Sequence, residues 1–224
     1  SGNSKVQPGG RGYCDTGKGV ATLEKPTGPI DRSMGDVHPA GNPHFNLSPQ
    51  ALAEAATVIA EELSEARPES SGAFDKKLTE FRARMTELQK RIASKLKPAT
   101  ELSRTQPVVI EYHKEFTYFF HAYGIRSQGS IEEKPGVLPS AARLAKIASS
   151  SRSNKVKVAF VASYSPDNPV KQFAELSGIP VKKLPTAVQP NGTADAIGKL
   201  QDALADALLS AVVAPSGPTT PATP

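Results

Sequence analysis

Few side chains in this sequence can do chemistry beyond hydrogen bonding. There are four histidines, His38, His44, His113 and His121, and one cysteine, Cys14. A single cysteine excludes an intrachain disulfide and any multi-cysteine metal site. Cys14 has no evident base partner and no GxSxG element occurs, so nothing marks an activated nucleophile. The imidazoles point elsewhere. Neutral imidazole suits zinc, copper, nickel and iron, and a zinc site needs three or four ligands with nitrogens at roughly 2.0–2.1 Å. His44 sits in DVHPAGNPHFNLSP, and His113 directly follows the apolar run PVVIEY. On spacing alone, two histidines are a weak signal, and each reads more readily as a hydrogen-bonded or exposed histidine than as a ligand.

The elements that must position these residues are legible from periodicity. Ser48 followed by Pro49 forms an N-cap and first-turn pair, and Leu52, Ala56, Ile59 and Leu63 recur at helical spacing, predicting a helix that ends near Pro68. A second helix is predicted from Ser71 to Lys97 with Phe74, Leu78, Phe81, Met85, Leu88, Ile92 and Leu96 on one stripe. It would be about 40 Å long, with Pro98 as its stop. Beyond it the texture alternates. Strands are predicted over 107–112, 125–131, 155–162 and 179–184, and helices over 113–123, 140–149, 166–177 and 193–213. That β-α-β-α order implies an α/β fold, a mostly parallel four-stranded sheet flanked by helices. His113 then falls beyond the carboxyl end of a strand, where such sheets present ligands.

The remaining chain sets bounds. The first forty-odd residues are rich in Gly and Pro without sustained periodicity, predicting irregular loop laid over something else. Residues 214–224, APSGPTTPATP, predict a disordered tail. The formal net charge is +5, yet basic residues are interleaved with acidic ones, as in EFRARMTELQKRIASKLK, and no aromatic platform accompanies them, so nucleic acid is not the expected partner. No stretch approaches the roughly eighteen apolar residues of a membrane span, and no signal peptide opens the chain. No GxGxxG or GxxxxGK[ST] follows any strand, so no nucleotide site is expected.

Several motifs occur together in a specific order: GNPHFNLSP before two helices, then VVIEYHKEFTYFFHAYGI, then GSIEEKPGVLPSAARLAKI. In order and spacing this resembles the zinc/manganese-specific periplasmic solute-binding proteins of ABC importers, over about residues 35–213. The resemblance implies that His44 and His113 are metal ligands and that Glu132 supports them close to the cleft. His38 is a candidate auxiliary ligand, and His121 reads as a packing or surface residue. Histidine at 113, where the manganese branch more often has Glu, favours the zinc branch: Zn2+ as cargo, with Mn2+ the alternative. The implied division is 1–68 as a remnant of the first lobe, 69–98 as a long linking helix, 99–213 as the C-terminal α/β lobe, and 214–224 as the tail.

The same resemblance implies a receptor and not an enzyme. It would be exported to the periplasm or outer face of a bacterial membrane, without inserting into it, and would capture metal between two lobes for delivery to an ABC transporter permease. Three departures from the family pattern stand out. Asn46 replaces a Trp after the NPH element, Ala187 stands where the manganese branch has an Asp ligand, and the opening of the first lobe, which supplies another histidine, has no counterpart. Two rival classes remain, a surface adhesin on the same fold and a non-metal α/β enzyme.

Overall fold

The structure, a computed structural model, describes residues 2–31, 34–102, 106–189, 192–193 and 195–213. Ten regular elements organise it: α1 (Pro49–Ala66), α2 (Ser71–Leu102), β1 (Val108–Glu111), α3 (Thr117–Ala122), β2 (Arg126–Ser130), α4 (Ala141–Ser153), β3 (Val158–Ala162), α5 (Asp167–Ser177), β4 (Val181–Leu184) and α6 (Ala196–Val213). The strands form one parallel sheet in the order β2-β1-β3-β4, which is the expected fold class.

The sheet is covered on both faces, and the period-2 geometry of strands decides which residue goes where. Val109, Val158, Phe160 and Leu184 pack with Phe116, Phe119 and Phe120 and with the inner faces of α2 and α6. Their chain neighbours Val108, Ile110, Ala159 and Val161 pack against Leu144, Ile147 and Ala148 of α4 and Val170 and Phe173 of α5. Both faces being buried explains why the two central strands, β1 and β3, read as continuous apolar runs.

Helix boundaries follow their signals with two exceptions. Ser48 caps α1, its hydroxyl accepting the Ala51 N–H at 3.3 Å, and Gly178 ends α5 in the left-handed conformation at φ 67°. The expected stop at Pro98 is overturned, because α2 runs on to Leu102. Pro98 is exposed, whereas Leu96 and Ala99 beside it are buried, so packing on the inner face carries the helix past the lost backbone bond. The stripe on α1 is also rotated from expectation. Ala51, Ala55 and Ala60 are buried, while Ile59 and Leu63 are 41% and 43% exposed. Small residues on that face let the N-terminal segment lie close, with Val20 packed against Ala51, Ala55 and Tyr118.

Residues 2–48 contain no α-helix or strand among those described, only short 3-10 turns. The expected irregular layer is therefore present and covers α1. The predicted tail at 214–224 lies outside the described residues.

Gln201 joins three of these parts. Wholly buried on α6, it donates to the Leu47 carbonyl at 2.8 Å and accepts the Tyr123 hydroxyl at 2.9 Å. Replacing it with Leu leaves both partners unsatisfied, at about 1–3 kcal/mol for a buried orphan. We predict that Gln201→Leu lowers unfolding stability by about 2–3 kcal/mol and Tyr123→Phe by about 1 kcal/mol, measured by urea denaturation. Losses below about 0.5 kcal/mol in both would show that this clamp is dispensable.

Candidate metal centre

The site is built where β1 and β2 end. After Glu111 the chain leaves β1 through Tyr112, whose N–H donates to the Phe160 carbonyl at 2.9 Å, and then turns through 113–116 into α3. The turn is set by Glu111. Fully buried, its carboxylate accepts the Phe116 N–H at 2.8 Å and the Thr117 hydroxyl at 3.0 Å. Burial pushes this carboxyl up to about 8 despite those two bonds. His113 therefore lies in a turn before α3, not at the start of a helix as periodicity predicted.

His113 is anchored across the strand pair. Its Nδ1 meets Glu132 Oε2 at 2.8 Å, and the same oxygen accepts the Gly136 N–H at 3.2 Å. That hydrogen bond, with the nearby Glu115 and Asp36 charges, raises the His113 pKa above the ordinary imidazole value against the opposing effect of burial. With Nδ1–H committed to the carboxylate, Nε2 is left as the electron-pair donor.

His44 arrives from the irregular segment. Asn42 shapes its approach. The Asn42 side-chain oxygen accepts the His44 N–H at 2.9 Å, and its amide donates to the Lys114 carbonyl at 2.7 Å and to Glu24 at 3.0 Å. Tyr118 of α3 completes the attachment, donating its hydroxyl to the Asn42 carbonyl at 2.9 Å and accepting the Leu23 N–H at 3.0 Å. Gly41, at φ 100°, is required here, since a side chain would meet the Leu23 carbonyl oxygen at 2.7 Å. Asn46, where a Trp is usual in the resemblance, instead donates to the Thr186 carbonyl at 2.8 Å, tying this loop to the one after β4.

The two rings meet edge to face, with centroids 5.6 Å apart and planes at 88°. Burial, then the His113 and His38 charges, lower the His44 pKa to about 4, so this imidazole is neutral at physiological pH. Its Nε2 is buried with no hydrogen-bond partner among the described residues. A buried acceptor left open is rare and calls for a ligand or ion to account for it.

A cleft of about 370 Å³ opens over the pair, with His38, His44, His113, Glu132 and Asp36 on its walls. His38 is exposed on this cleft, while His121 is exposed near the end of α3. Among the described residues, no three His, Cys, Asp or Glu side chains converge tightly enough to form a metal site by themselves. Ala187 is exposed in the loop after β4 and offers no ligand. Asn42 and Glu111 were not singled out from sequence. The available signals were an Asn directly before the Pro-His pair, a residue that bonds its own backbone two positions on, and a lone carboxylate inside the apolar run VVIEY.

With this geometry in view, relationships to known proteins become decisive. The profile of the family described as zinc-uptake complex component A periplasmic (ZnuA) matches residues 4–211. This chain belongs to the ZnuA family. The ZnuA-type motif order read from sequence thus identified the right family. The high-affinity zinc uptake system protein ZnuA of Brucella abortus is 31% identical over 104 residues, a stretch covering 46% of this chain and 30% of that protein. The chain thus matches under a third of that relative's length. A crystal structure of ZnuA superposes with TM-score 0.70 at 24% identity, covering 89% of this chain and 70% of the other. A zinc-bound variant of AdcAII from Streptococcus pneumoniae gives TM-score 0.68 at 25% identity, covering 87% and 69%. These likenesses establish a ZnuA-like fold.

Asn42→Ala removes a bond to the His44 N–H and two cross-links from the loop carrying His44. We predict a stability loss of about 1–3 kcal/mol by thermal or urea unfolding. We also predict line broadening of the His44 ring in NMR spectra, as its loop loses attachment. An unchanged His44 signal would show that other contacts fix the loop.

Proposed function

We propose that this chain is the metal-binding part of a zinc receptor, capturing Zn2+ at His44 and His113 for an ABC transporter permease. The observation that carries this is the disposition of the two imidazoles. Two imidazoles on one tetrahedral zinc, with nitrogens at about 2.0–2.1 Å, have ring centroids about 5.2 Å apart, and here the separation is 5.6 Å. One ring has its tautomer fixed by Glu132, and the other has an unpartnered buried Nε2. Family membership supports zinc as cargo, with Mn2+ the alternative ion. His38, exposed on the same cleft, is the third protein donor this reading favours, and water completes the tetrahedron.

The proposed division follows the resemblance. Residues 1–68 belong to a first lobe, the long helix, extended to Leu102, links it to the second, and the α/β lobe carries His113. No described helix is long and apolar enough to cross a membrane.

Calorimetric titration at neutral pH tests the reading. Zinc is expected to bind more tightly than manganese. His44→Ala or His113→Ala should abolish the zinc heat, and His38→Ala should weaken it about 10-fold or more. Failure of zinc to bind this chain, and also a form supplied with a complete first lobe, would sink the assignment.

Acidity gives an independent check. Protons and metal compete for neutral imidazole. His44 stays neutral down to about pH 4, whereas His113 takes its proton above the ordinary imidazole value because of Glu132. Affinity should therefore fall as pH drops through neutrality, with about one proton taken up per metal released. Glu132→Gln removes the charge that favours the imidazolium. It should shift this fall to lower pH while weakening zinc binding at pH 8 by about 10-fold. A pH profile unmoved by Glu132→Gln would show that His113 is not the titrating ligand.

A further inference from the structure

We propose that Arg143 is a positioning residue for the metal centre: its guanidinium fixes the backbone from which Glu132 reaches His113, and thereby sets which imidazole nitrogen faces the cleft. This deepens the zinc-receptor reading and rests on it for its functional consequence.

Arg143 is the third residue of α4, whose N-cap Ser140 accepts the Arg143 N–H at 3.1 Å. A cation in the first turn faces the positive end of the helix dipole, so helix stability does not favour Arg there. Its side chain turns toward the sheet instead. Nη2 donates to the Ser130 carbonyl at 2.7 Å and to the Glu132 carbonyl at 3.4 Å, and Nε donates to the Ile131 carbonyl at 3.1 Å. Three successive carbonyls are thus gathered by one planar fork.

The need for such a fork follows from topology. β2 is an edge strand, paired with β1 alone. The β1–β2 ladder also breaks register between Val109 and Glu111. Beyond the break, the Ile131 and Glu132 N–H groups reach the Glu111 and Tyr112 carbonyls at 2.8 and 3.1 Å. The segment is held from the sheet side by those bonds and from the outer side by Arg143, in the place a further strand would occupy. Glu132 is the last residue so held, and its carboxylate carries the 2.8 Å contact to His113 Nδ1. Freeing its backbone by even a fraction of an ångström lengthens that bond and releases the tautomer. Lysine cannot substitute, because a point ammonium cannot serve three carbonyls in one plane.

The test compares wild type, Arg143→Lys, Arg143→Met, Glu132→Gln and the double variant Arg143→Met/Glu132→Gln in the full chain. The His113 tautomer is read from side-chain ¹⁵N NMR at pH 8 without metal, zinc affinity by competition titration, and stability by thermal melting. Wild type should show protonated Nδ1 and free Nε2. Both Arg143 variants should show mixed tautomers and zinc binding weakened about 10-fold, and the double variant should bind no more weakly than Glu132→Gln alone. An unchanged tautomer with affinity within about twofold overturns the proposal, as do losses that add in the double variant. A lower melting temperature with an unchanged tautomer overturns it too, since the role would then be scaffold alone. Arg143→Lys carries the test if Arg143→Met does not fold. Wild type that binds no zinc would count against the receptor reading, while the tautomer would still decide the role of Arg143.

Discussion

Two imidazoles 5.6 Å apart in a half-buried cleft cannot both carry a proton without mutual repulsion, and the contact between His113 and Glu132 decides which one does. The carboxylate pulls proton affinity onto His113, while burial and the neighbouring imidazole charges push it away from His44. The pair is therefore asymmetric before any ligand arrives, one ring oriented by a charge and the other by exclusion from water. Everything else in the architecture serves to keep these two rings at this separation. β1 and β2 run parallel so that their ends, and hence His113 and Glu132, emerge side by side. Glu111 and Thr117 shape the turn that aims the imidazole back over the sheet.

The second ring comes from chain with no regular structure, and that demands a different kind of support. A loop cannot rely on ladder bonds, so side chains add to its few backbone bonds: Asn42, Tyr118 and Glu24 form a connected polar network under the NPH element. Networks of this kind specify one geometry when every member is satisfied. The Gly41 turn lets the loop come within van der Waals range of the Leu23–Lys25 segment. The N-terminal segment is thus structural in spite of its composition, with Val20 sealing the apolar contact between α1 and Tyr118.

What sequence revealed and what it concealed divide along physical lines. The central strands β1 and β3 were legible because both of their faces are buried, and apolar runs such as KVKVAFVA have no other use. His44 and His113 stood out through their places in motifs, and His113 also through its position after a strand. Pro98 misled because a local rule about backbone donors was outweighed by tertiary packing of Leu96 and Ala99. Ile59 and Leu63 misled because alanines, scoring weakly in any hydrophobic pattern, make the closest face of α1. Asn42 was hidden for a related reason: its value is entirely in three hydrogen bonds, two of them to residues far along the chain, and no periodicity registers such bonds.

Two of the departures from the family pattern, at Asn46 and Ala187, belong to one arrangement. Ala187 places no carboxylate at its own position in the loop after β4. Its neighbour Thr186 is instead held through the backbone by Asn46, and the Thr186 hydroxyl reaches Tyr164, whose own hydroxyl bonds the buried Glu115. The connection between the NPH loop and the loop after β4 therefore runs through amide and hydroxyl groups to a carboxylate, Glu115, whose proton affinity responds to the His113 charge. On the β1–β2 side, Glu132 Oε2 joins His113 to the loop at Gly136. A cation held at His113 would therefore act on that loop through one shared carboxylate oxygen and on the β4 side through Glu115 and Tyr164, two routes that start from the same imidazole.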